Sequence, residues 1–392
     1  MLAIGMGFVL VAPAQAPEIY QANAAKLAAF KKKVQQGDKK ANAWVKHLLK
    51  DADAKLAMEP VSVMDKAFVP PSGNKHDYMS MAPYFWPDPT KPDGKPYIRK
   101  DGVRNPEIEK ISDKKNIVEI GKVTQLMGLG YYFTGDEKYA EQAATLLRVW
   151  FIDTATRMNP NLTYAQAVMG VNDGRGIGIL ETVNLTNVTE SIGLLKGAKS
   201  WTAQYDAALR EWFRQYLDWM LNSKNGKDEH NSKNNHGIWY DMQVLSFSLF
   251  LHQDAFAKQY VQSTLQRIPV QFEPDGRQPL ELERTTALGY STFSLSAWFK
   301  AASLAEHLGT DIWQYQTADG RSIRKALDWL LPYALGDQPW TYQQIHPYYE
   351  IDVLYYLLLQ AYTHYKDDKY YAAAMRIQPK ADNVVVDILY DK

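Results

Sequence analysis

The sequence predicts an all-α fold, an α/α toroid or incomplete barrel of roughly six to seven helical hairpins. Many segments place apolar residues at i, i+3 and i+4, the spacing of a helix with one buried face. Short turn signals separate many of these segments, as expected for antiparallel hairpins. The chain has no clean repeat of about 34 residues, which favours the toroid over an open helical solenoid.

Each predicted helix is bounded by the extent of its apolar periodicity. In chain order the segments are Ala24–Val34, Ala43–Leu56, Ile117–Tyr132, Tyr139–Phe151, Ile177–Leu195, Tyr205–Leu221, Ile238–Leu251, Ala255–Ile268, Ala287–Leu308, Ile323–Leu331 and Ile351–Tyr365. Thr134–Asp136 and His252–Asp254 read as turns inside hairpins. Val384–Ile388 is a β-branched run that predicts a small strand. No shift in composition marks a domain boundary, so we expect one catalytic domain over residues 17–392.

The first sixteen residues resemble a secretory signal peptide. Leu2–Val11 is almost wholly apolar, and Ala12–Ala16 offers small residues for cleavage after Ala14 or Ala16. The alternative is an apolar first helix of the domain. The run is too short to span a bilayer, and the chain has no other apolar run of about 18 residues. We therefore expect an exported protein, periplasmic or secreted, without membrane integration.

Charge and composition exclude several classes of protein. The chain carries 44 Lys and Arg against 44 Asp and Glu, which argues against electrostatic binding to nucleic acid. With no cysteine, it has no disulfide, thiolate metal site, iron–sulfur cluster or cysteine nucleophile. Aromatic residues make up 12% of the chain. Tyr and Trp suit the binding of sugars, but they also fill hydrophobic cores.

Two irregular stretches interrupt the helical pattern. Residues 70–106 hold eight prolines and three glycines, and long loops inside compact domains are usually functional. Tyr84 and Trp86 lie between prolines in this loop, where they predict either rigid stacking platforms or a loop anchored by its aromatic side chains. The second stretch, residues 158–178, is rich in Asn and Gly.

Asn234-Asn235-His236 opens an apolar helix, with either asparagine suited to cap it. In a continuous helix His236, Tyr240 and Gln243 share one face, which is unusually polar for a packed helix. The alternative is a capping Asn followed by a hydrogen-bonded core histidine.

Arg284 and Tyr290 flank a second helix start, with Thr285 or Thr286 as the N-cap. The break at the cap allows both side chains to point into one cavity, where a cation favours the phenolate form of a tyrosine base. The alternative is a surface ion pair and a core tyrosine. Asn184 and Asn187 share a third polar face, which would line a cleft or face solvent.

Four motifs in order resemble the alginate lyase superfamily over roughly residues 75–350. They are Pro83-Tyr84-Phe85-Trp86-Pro87-Asp88-Pro89 with Asp93-Gly94, Pro96-Tyr97-Ile98-Arg99 and Asp101-Gly102; Met158-Asn159-Pro160-Asn161-Leu162 with Gly174-Arg175-Gly176-Ile177-Gly178; Asn234-Asn235-His236-Gly237; and Arg284-Thr285-Thr286 with Tyr290. The similarity is closest to polysaccharide lyase family 38 and more distant to family 5. It implies a helical toroid that cleaves a 1,4-linked polyuronate, alginate or glucuronan, by β-elimination.

The resemblance also implies the catalytic residues. Asn235 and His236 match the family's Asn-His pair, and Arg284 and Tyr290 match its Arg and Tyr. Donors such as Asn235 and Arg284 would offset the uronate carboxylate so that the C5 proton can leave. Tyr290 would then act as both base and acid, or His236 would be the base and Tyr290 the acid. This scheme needs no metal or cofactor.

Asn184 and Asn187 match the family's pattern less clearly than the catalytic residues do, and five further residues are candidates for substrate subsites. The expected set is Asn184, Asn187, Arg175, Tyr84, Trp86, Tyr240 and His346. Two rival functions remain at this stage. One is a glycoside hydrolase on the same kind of toroid, with paired carboxylates drawn from Glu281, Glu283, Asp173 and Asp88. The other is a non-catalytic protein that binds polysaccharide.

Overall fold

A computed structural model describes residues 16–377 and Ile388. The predicted signal peptide, apart from Ala16, and the predicted strand Val384–Ile388, apart from Ile388, lie outside the described residues. The α-helices of the described part are α1 Ala24–Gln35, α2 Lys39–Asp53, α3 Asp113–Thr134, α4 Glu137–Leu147, α5 Leu185–Leu194, α6 Ala203–Asn222, α7 Lys224–His230, α8 Asn235–Phe250, α9 Asp254–Leu265, α10 Ile268–Gln271, α11 Pro279–Leu282, α12 Ala287–Glu306, α13 Ile323–Ala334, α14 Ile351–Tyr365 and α15 Asp368–Ile377.

Short elements occupy the two stretches between α2 and α5. The strands are β1 Met79–Met81, β2 Phe85–Trp86, β3 Ile98–Arg99 and β4 Tyr164–Ala167. β1 pairs in parallel with β4, and β2 pairs antiparallel with β3, so the proline-rich loop is folded onto the domain. Short 3₁₀ helices lie at Val63–Asp65, Pro106–Lys110 and Gly176–Thr182, and a π-helical turn extends α4 at Arg148–Ile152.

The helices form two layers. An inner series runs through α3, α5, α8, α12 and α14, each packed on the next, and α4, α6, α9, α13 and α15 pack outside it. The predicted α/α toroid is confirmed by this arrangement. None of the described helices is long and apolar enough to cross a membrane.

Helix α8 is the centre of the packing. Every residue of it except His236 is buried. One side, including Phe247, joins the core formed with α3 to α6, and the other, including Leu245, joins the core formed with α12 to α15. A helix that is apolar all round belongs in the interior. The side chain of Asn234 accepts the backbone N–H of His236, as predicted for a cap.

The structure departs from the predicted helices at several points. The single helix predicted over Ile177–Leu195 is two elements, a tight turn at Gly176–Thr182 and then α5, because the turn lies flat against β4. A Cβ on Gly178 would stand 2.3 Å from the Cβ of Ala165. Four helices went unpredicted, namely α7, α10, α11 and α15. With four to ten residues each, they are too short to show a clear helical period.

A segment that we call the N-terminal strap, residues 17–23, crosses from α5 to α12. The fully buried carboxylate of Glu190 on α5 accepts the backbone N–H of Tyr20 at 2.8 Å, and also those of Gln21 and Ala22. Lys300 on α12 is partly buried, and its Nζ donates to Gln21 Oε1 at 2.8 Å. The strap therefore provides hydrogen-bond partners for a buried carboxyl group and a partly buried amine.

The fit of the strap against α5 depends on Gly193. A Cβ at this position would lie 1.8 Å from the carbonyl oxygen of Glu18, which is backbone and cannot rotate away. We expect Gly193→Ala to lower the free energy of unfolding by about 1–3 kcal/mol, because the strap must shift. Urea unfolding followed by circular dichroism measures this. Lys196→Ala, at an exposed position just after α5, is the matched control. Equal stability of the two variants would contradict the close packing of the strap.

Candidate active site

A large cavity lies at the amino ends of α8 and α12, where the proline-rich loop covers them. Its volume is about 990 Å³. It is lined by Pro83, Tyr84, Phe85, Arg99, Gly102, Val103, Arg104, Lys114, Gln166, Arg175, Ile177, Leu180, Ser232, Asn234, His236, Arg284, Thr286, Gly289, Tyr290, Phe293, His346 and Glu350. Six of the eleven sequence-predicted site residues are in this wall: Tyr84, Arg175, His236, Arg284, Tyr290 and His346.

The wall is strongly cationic although the chain as a whole is neutral. It contains four arginines and one lysine, whereas Glu350 is its one carboxylate. Low-dielectric walls of one charge sign focus the field inside a cavity. The cavity is therefore suited to an anionic ligand.

His236 lies in the first turn of α8, and its ring contacts a buried carboxylate. Its Nδ1 is 2.6 Å from Oε1 of Glu229, a carboxylate that is 1% exposed. With Nδ1 donating to Glu229, Nε2 is left to face the cavity as a proton acceptor. The predicted base therefore has a fixed ring orientation, and the residue that fixes it was not anticipated.

Asn235 was predicted to contact the substrate, but the structure buries it completely. Its backbone N–H donates to Oε1 of Glu281 at 2.6 Å, and its Nδ2 donates to Oε2 at 2.7 Å. Burial raises the pKa of Glu281, although the hydrogen bonds from Asn235 oppose this. Asn235 is placed beside the cavity rather than in its wall, and it ties the start of α8 to α11.

Arg284 joins the proline-rich loop to the start of α12. Its Nη2 donates to Oδ1 of Asp101 at 2.8 Å and its Nε to Oδ2 at 3.2 Å, a bidentate ion pair. The hydroxyl of Thr285 also donates to Asp101 at 3.1 Å. Burial acts to raise the pKa of Asp101, but the hydrogen bonds and charge of Arg284 outweigh it and hold this pKa well below its usual range. Both members of the pair stay charged at neutral pH.

Tyr290 lies against Arg284 on two sides. Arg284 Nη2 donates to the phenol oxygen at 2.7 Å, and the guanidinium carbon lies 3.7 Å from the centre of the ring. The phenol donates in turn to the hydroxyl of Tyr84 at 3.2 Å. The sequence predicted that a cation would favour the phenolate. Burial outweighs that effect, so the pKa of Tyr290 is raised and the phenol keeps its proton.

Arg175 and His346 complete the predicted part of the wall. Arg175 Nη2 donates to Oε1 of Gln166 at 3.0 Å, and its guanidinium stacks over Phe85 with 5.0 Å to the ring centre. His346 Nε2 lies 3.1 Å from the carbonyl oxygen of Gly102. Gly102 has a φ of 74°, and a Cβ there would stand 2.5 Å from the Thr285 hydroxyl. Only glycine allows this close approach of the loop.

The remaining predicted binding residues are not in the cavity wall. Tyr240 is 2% exposed and donates its hydroxyl to the Met220 carbonyl oxygen, so it is a core residue. Trp86 donates its indole N–H to Val103 and anchors the loop. Asn184 precedes α5, and its backbone packs on Gly121 of α3. Asn187 lies one turn further along α5. Asn184 therefore packs against α3, and neither asparagine is in the cavity wall.

Several cavity residues were not singled out from the sequence. Arg99, Arg104 and Lys114 line the wall, and Glu350 faces it from the start of α14. Arg99 lies in one of the motifs that carry the resemblance, but it was not predicted to be a site residue. No local pattern distinguished Arg104, Lys114 or Glu350, because they come from separate elements that only the fold brings together.

The carboxylates required for a glycoside hydrolase do not meet in the cavity. Glu281 is buried and bonded to Asn235. Asp88 accepts hydrogen bonds from Thr90 on the outer loop. Glu283 and Asp173 are exposed and do not line the wall. The arrangement therefore does not favour hydrolysis by paired acids.

Comparisons with known proteins identify the family of the chain. The alginate lyase family model matches residues 62–340. A crystal structure of an alginate lyase from Bacteroides ovatus is 41% identical, with a TM-score of 0.90, over 96% of this chain and 99% of that one. Alginate lyase A1-III from Sphingomonas species A1 is 14% identical, with a TM-score of 0.60, over 99% of this chain and 100% of that one, a likeness of fold. No curated protein matches the chain.

The family match covers well over half of the chain. The functional class predicted from the sequence motifs is confirmed. The chain belongs to the alginate lyase family and is a polysaccharide lyase.

Proposed function

We propose that this protein cleaves a 1,4-linked polyuronate, with alginate as the first candidate, by β-elimination. The observation that carries the proposal is the Arg284–Tyr290 contact at 2.7 Å, which lies with His236 in one cationic wall. A buried cation, a protonated phenol and an oriented imidazole are the groups that such an elimination requires.

The cations supply the electrostatic part of the reaction. Removal of the C5 proton from a uronate forms an enolate-like dianion, because the neighbouring carboxylate is already negative. Arg284 is the central candidate to stabilise this charge, since it lies beside Tyr290. Arg175, Arg99 and Lys114 extend the positive wall along the bound chain. In a partly desolvated cavity these charges act far more strongly than they would in water.

Proton transfer is assigned to His236 and Tyr290. Nε2 of His236 takes the C5 proton, and Glu229 stabilises the resulting imidazolium through the 2.6 Å contact at Nδ1. Because burial keeps Tyr290 protonated, its phenol is suited to protonate the leaving O4. Arg284 then stabilises the phenolate that remains. This division favours His236 as base and Tyr290 as acid over the scheme in which Tyr290 does both.

Solved relatives support the choice of substrate. The 41% identical protein from Bacteroides ovatus is described as an alginate lyase. Variants of alginate lyase A1-III, with His changed to Ala or Tyr to Phe, are complexed with a tetrasaccharide. Glucuronan remains the second candidate, because it presents the same carboxylate beside the same kind of 1,4 linkage.

Elimination has a direct optical signature. It leaves a C4=C5 double bond conjugated with the carboxylate, which absorbs in the ultraviolet, whereas hydrolysis does not. We expect the purified protein to raise ultraviolet absorbance with polymannuronate, polyguluronate or glucuronan, and the ranking of rates identifies its substrate. Reducing ends released without absorbance would contradict β-elimination. No reaction with any of the three polymers would contradict the proposed substrate class.

Removal of the Tyr290 hydroxyl group tests whether this residue is the catalytic acid. We expect Tyr290→Phe to lower kcat by about 10²–10⁴-fold while KM changes little, because the ring still packs on Arg284. Steady-state ultraviolet kinetics measure both constants. Tyr139→Phe is the matched control, since Tyr139 is a buried tyrosine whose hydroxyl donates to Asp53 outside the cavity. Undiminished kcat in Tyr290→Phe would remove this residue from the mechanism.

We also propose that the protein is exported to the periplasm or secreted, on the basis of the apolar run Leu2–Val11 and the alanines that follow it. We expect expression of the whole chain in a Gram-negative host to yield an extracytoplasmic protein that begins at Gln15 or Pro17. N-terminal sequencing of the periplasmic and medium fractions measures this. Either cleavage leaves the N-terminal strap intact. Cytosolic protein that retains Leu2 would contradict the proposal.

A further inference from the structure

Glu350 is an anomaly in the cavity. It is the one carboxylate among the wall residues, and it is only partly buried. Within the described part of the chain, no basic side chain pairs with it. Burial raises its pKa, although nearby backbone N–H groups of the same turn oppose this. A carboxylate that is partly desolvated and lacks a cationic partner destabilises the empty site, which is a mark of a ligand-facing group.

The fold makes room for this carboxylate beside Tyr290. A Cβ on Gly289 would lie 2.6–2.8 Å from the three atoms of the Glu350 carboxyl group. Gly289 is the residue before Tyr290 and is buried in the first turn of α12. The carboxyl group thus lies close to the backbone next to the proposed acid, in space that the absence of a side chain at Gly289 leaves free.

The hydrogen-bonding chemistry of the wall indicates what Glu350 binds. A uronate presents hydroxyl groups as well as a carboxylate, and the lysine and arginine side chains can only donate. The two amide side chains of the wall already accept from the protein: Gln166 from Arg175, and Asn234 from the backbone of His236. Glu350 repels uronate carboxylates, whereas it is a strong acceptor for hydroxyl groups.

We propose that Glu350 is a specificity-determining residue that accepts hydrogen bonds from the ring hydroxyls of the uronate bound beside Tyr290. The lyase would then prefer chains whose hydroxyls are free over chains in which they are O-acetylated. This inference rests on the proposed polyuronate lyase function and assigns one further contact within the same site.

The test combines variants of Glu350 with acetylation of the substrate hydroxyl groups that this residue is proposed to contact. Wild type and the variants Glu350→Ala and Glu350→Gln are assayed on one polyuronate, with and without chemical acetylation of its ring hydroxyls. On the free polymer we expect Glu350→Ala to lower kcat/KM about tenfold, mainly through KM, and Glu350→Gln to lower it less. We expect the penalty for acetylation to be at least about fivefold smaller in Glu350→Ala than in wild type.

Other outcomes overturn the inference. An acetylation penalty that is the same in wild type and Glu350→Ala would show that this side chain does not contact the hydroxyls. A lower KM for Glu350→Gln would show instead that Glu350 repels substrate carboxylates.

The control variant is Glu141→Gln, which changes an exposed carboxylate on α4, and circular dichroism verifies that each variant folds. If wild type forms no ultraviolet-absorbing product, the proposed function fails. If wild type is active and the penalties are equal, only the role of Glu350 fails.

Discussion

The ion pair between Asp101 and Arg284 is the contact on which the geometry of the site depends. Asp101 belongs to the proline-rich loop and Arg284 precedes α12, so the pair fixes one wall of the cavity against the other. The same guanidinium hydrogen bonds to Tyr290, which itself contacts Tyr84 of the loop. A bidentate pair has a narrow choice of geometry. The loop and the helix are therefore positioned together, and neither tyrosine can be placed without the other.

A neutral chain produces a cationic cavity by placing its acids behind the wall. Each acid pairs with a residue in or beside the wall, and three of the four hold a basic side chain from the protein side. The pairs are Asp101 with Arg284, Glu229 with His236, Glu181 with Lys114, and Glu281 with Asn235. The net charge of the chain therefore says little about its substrate, because the local sign depends on which member of each pair faces the cavity.

The sequence determined the parts of the site that have local signatures. The toroid followed from helical periods, and His236, Arg284 and Tyr290 followed from helix starts and ordered motifs. Asn235 was placed in the cleft by the resemblance and Tyr240 by its helical spacing from His236, and neither signal shows which face of a helix packs. For α8 both faces pack, so only the first turn reaches the cavity. Arg104, Lys114 and Glu350 needed the tertiary structure, because no neighbour in sequence shares their role.

The helices themselves add to the field of the site. His236 and Tyr290 lie near the amino ends of α8 and α12, where the helix dipole is positive. Further along α12, Lys300 lies about 15 Å of helix beyond Tyr290, where it anchors the N-terminal strap. One end of α12 is thus held by the strap and the other by the Asp101–Arg284 pair. Because both ends are fixed, the dipole and the phenol keep a constant direction relative to the substrate, as preorganised electrostatic catalysis requires.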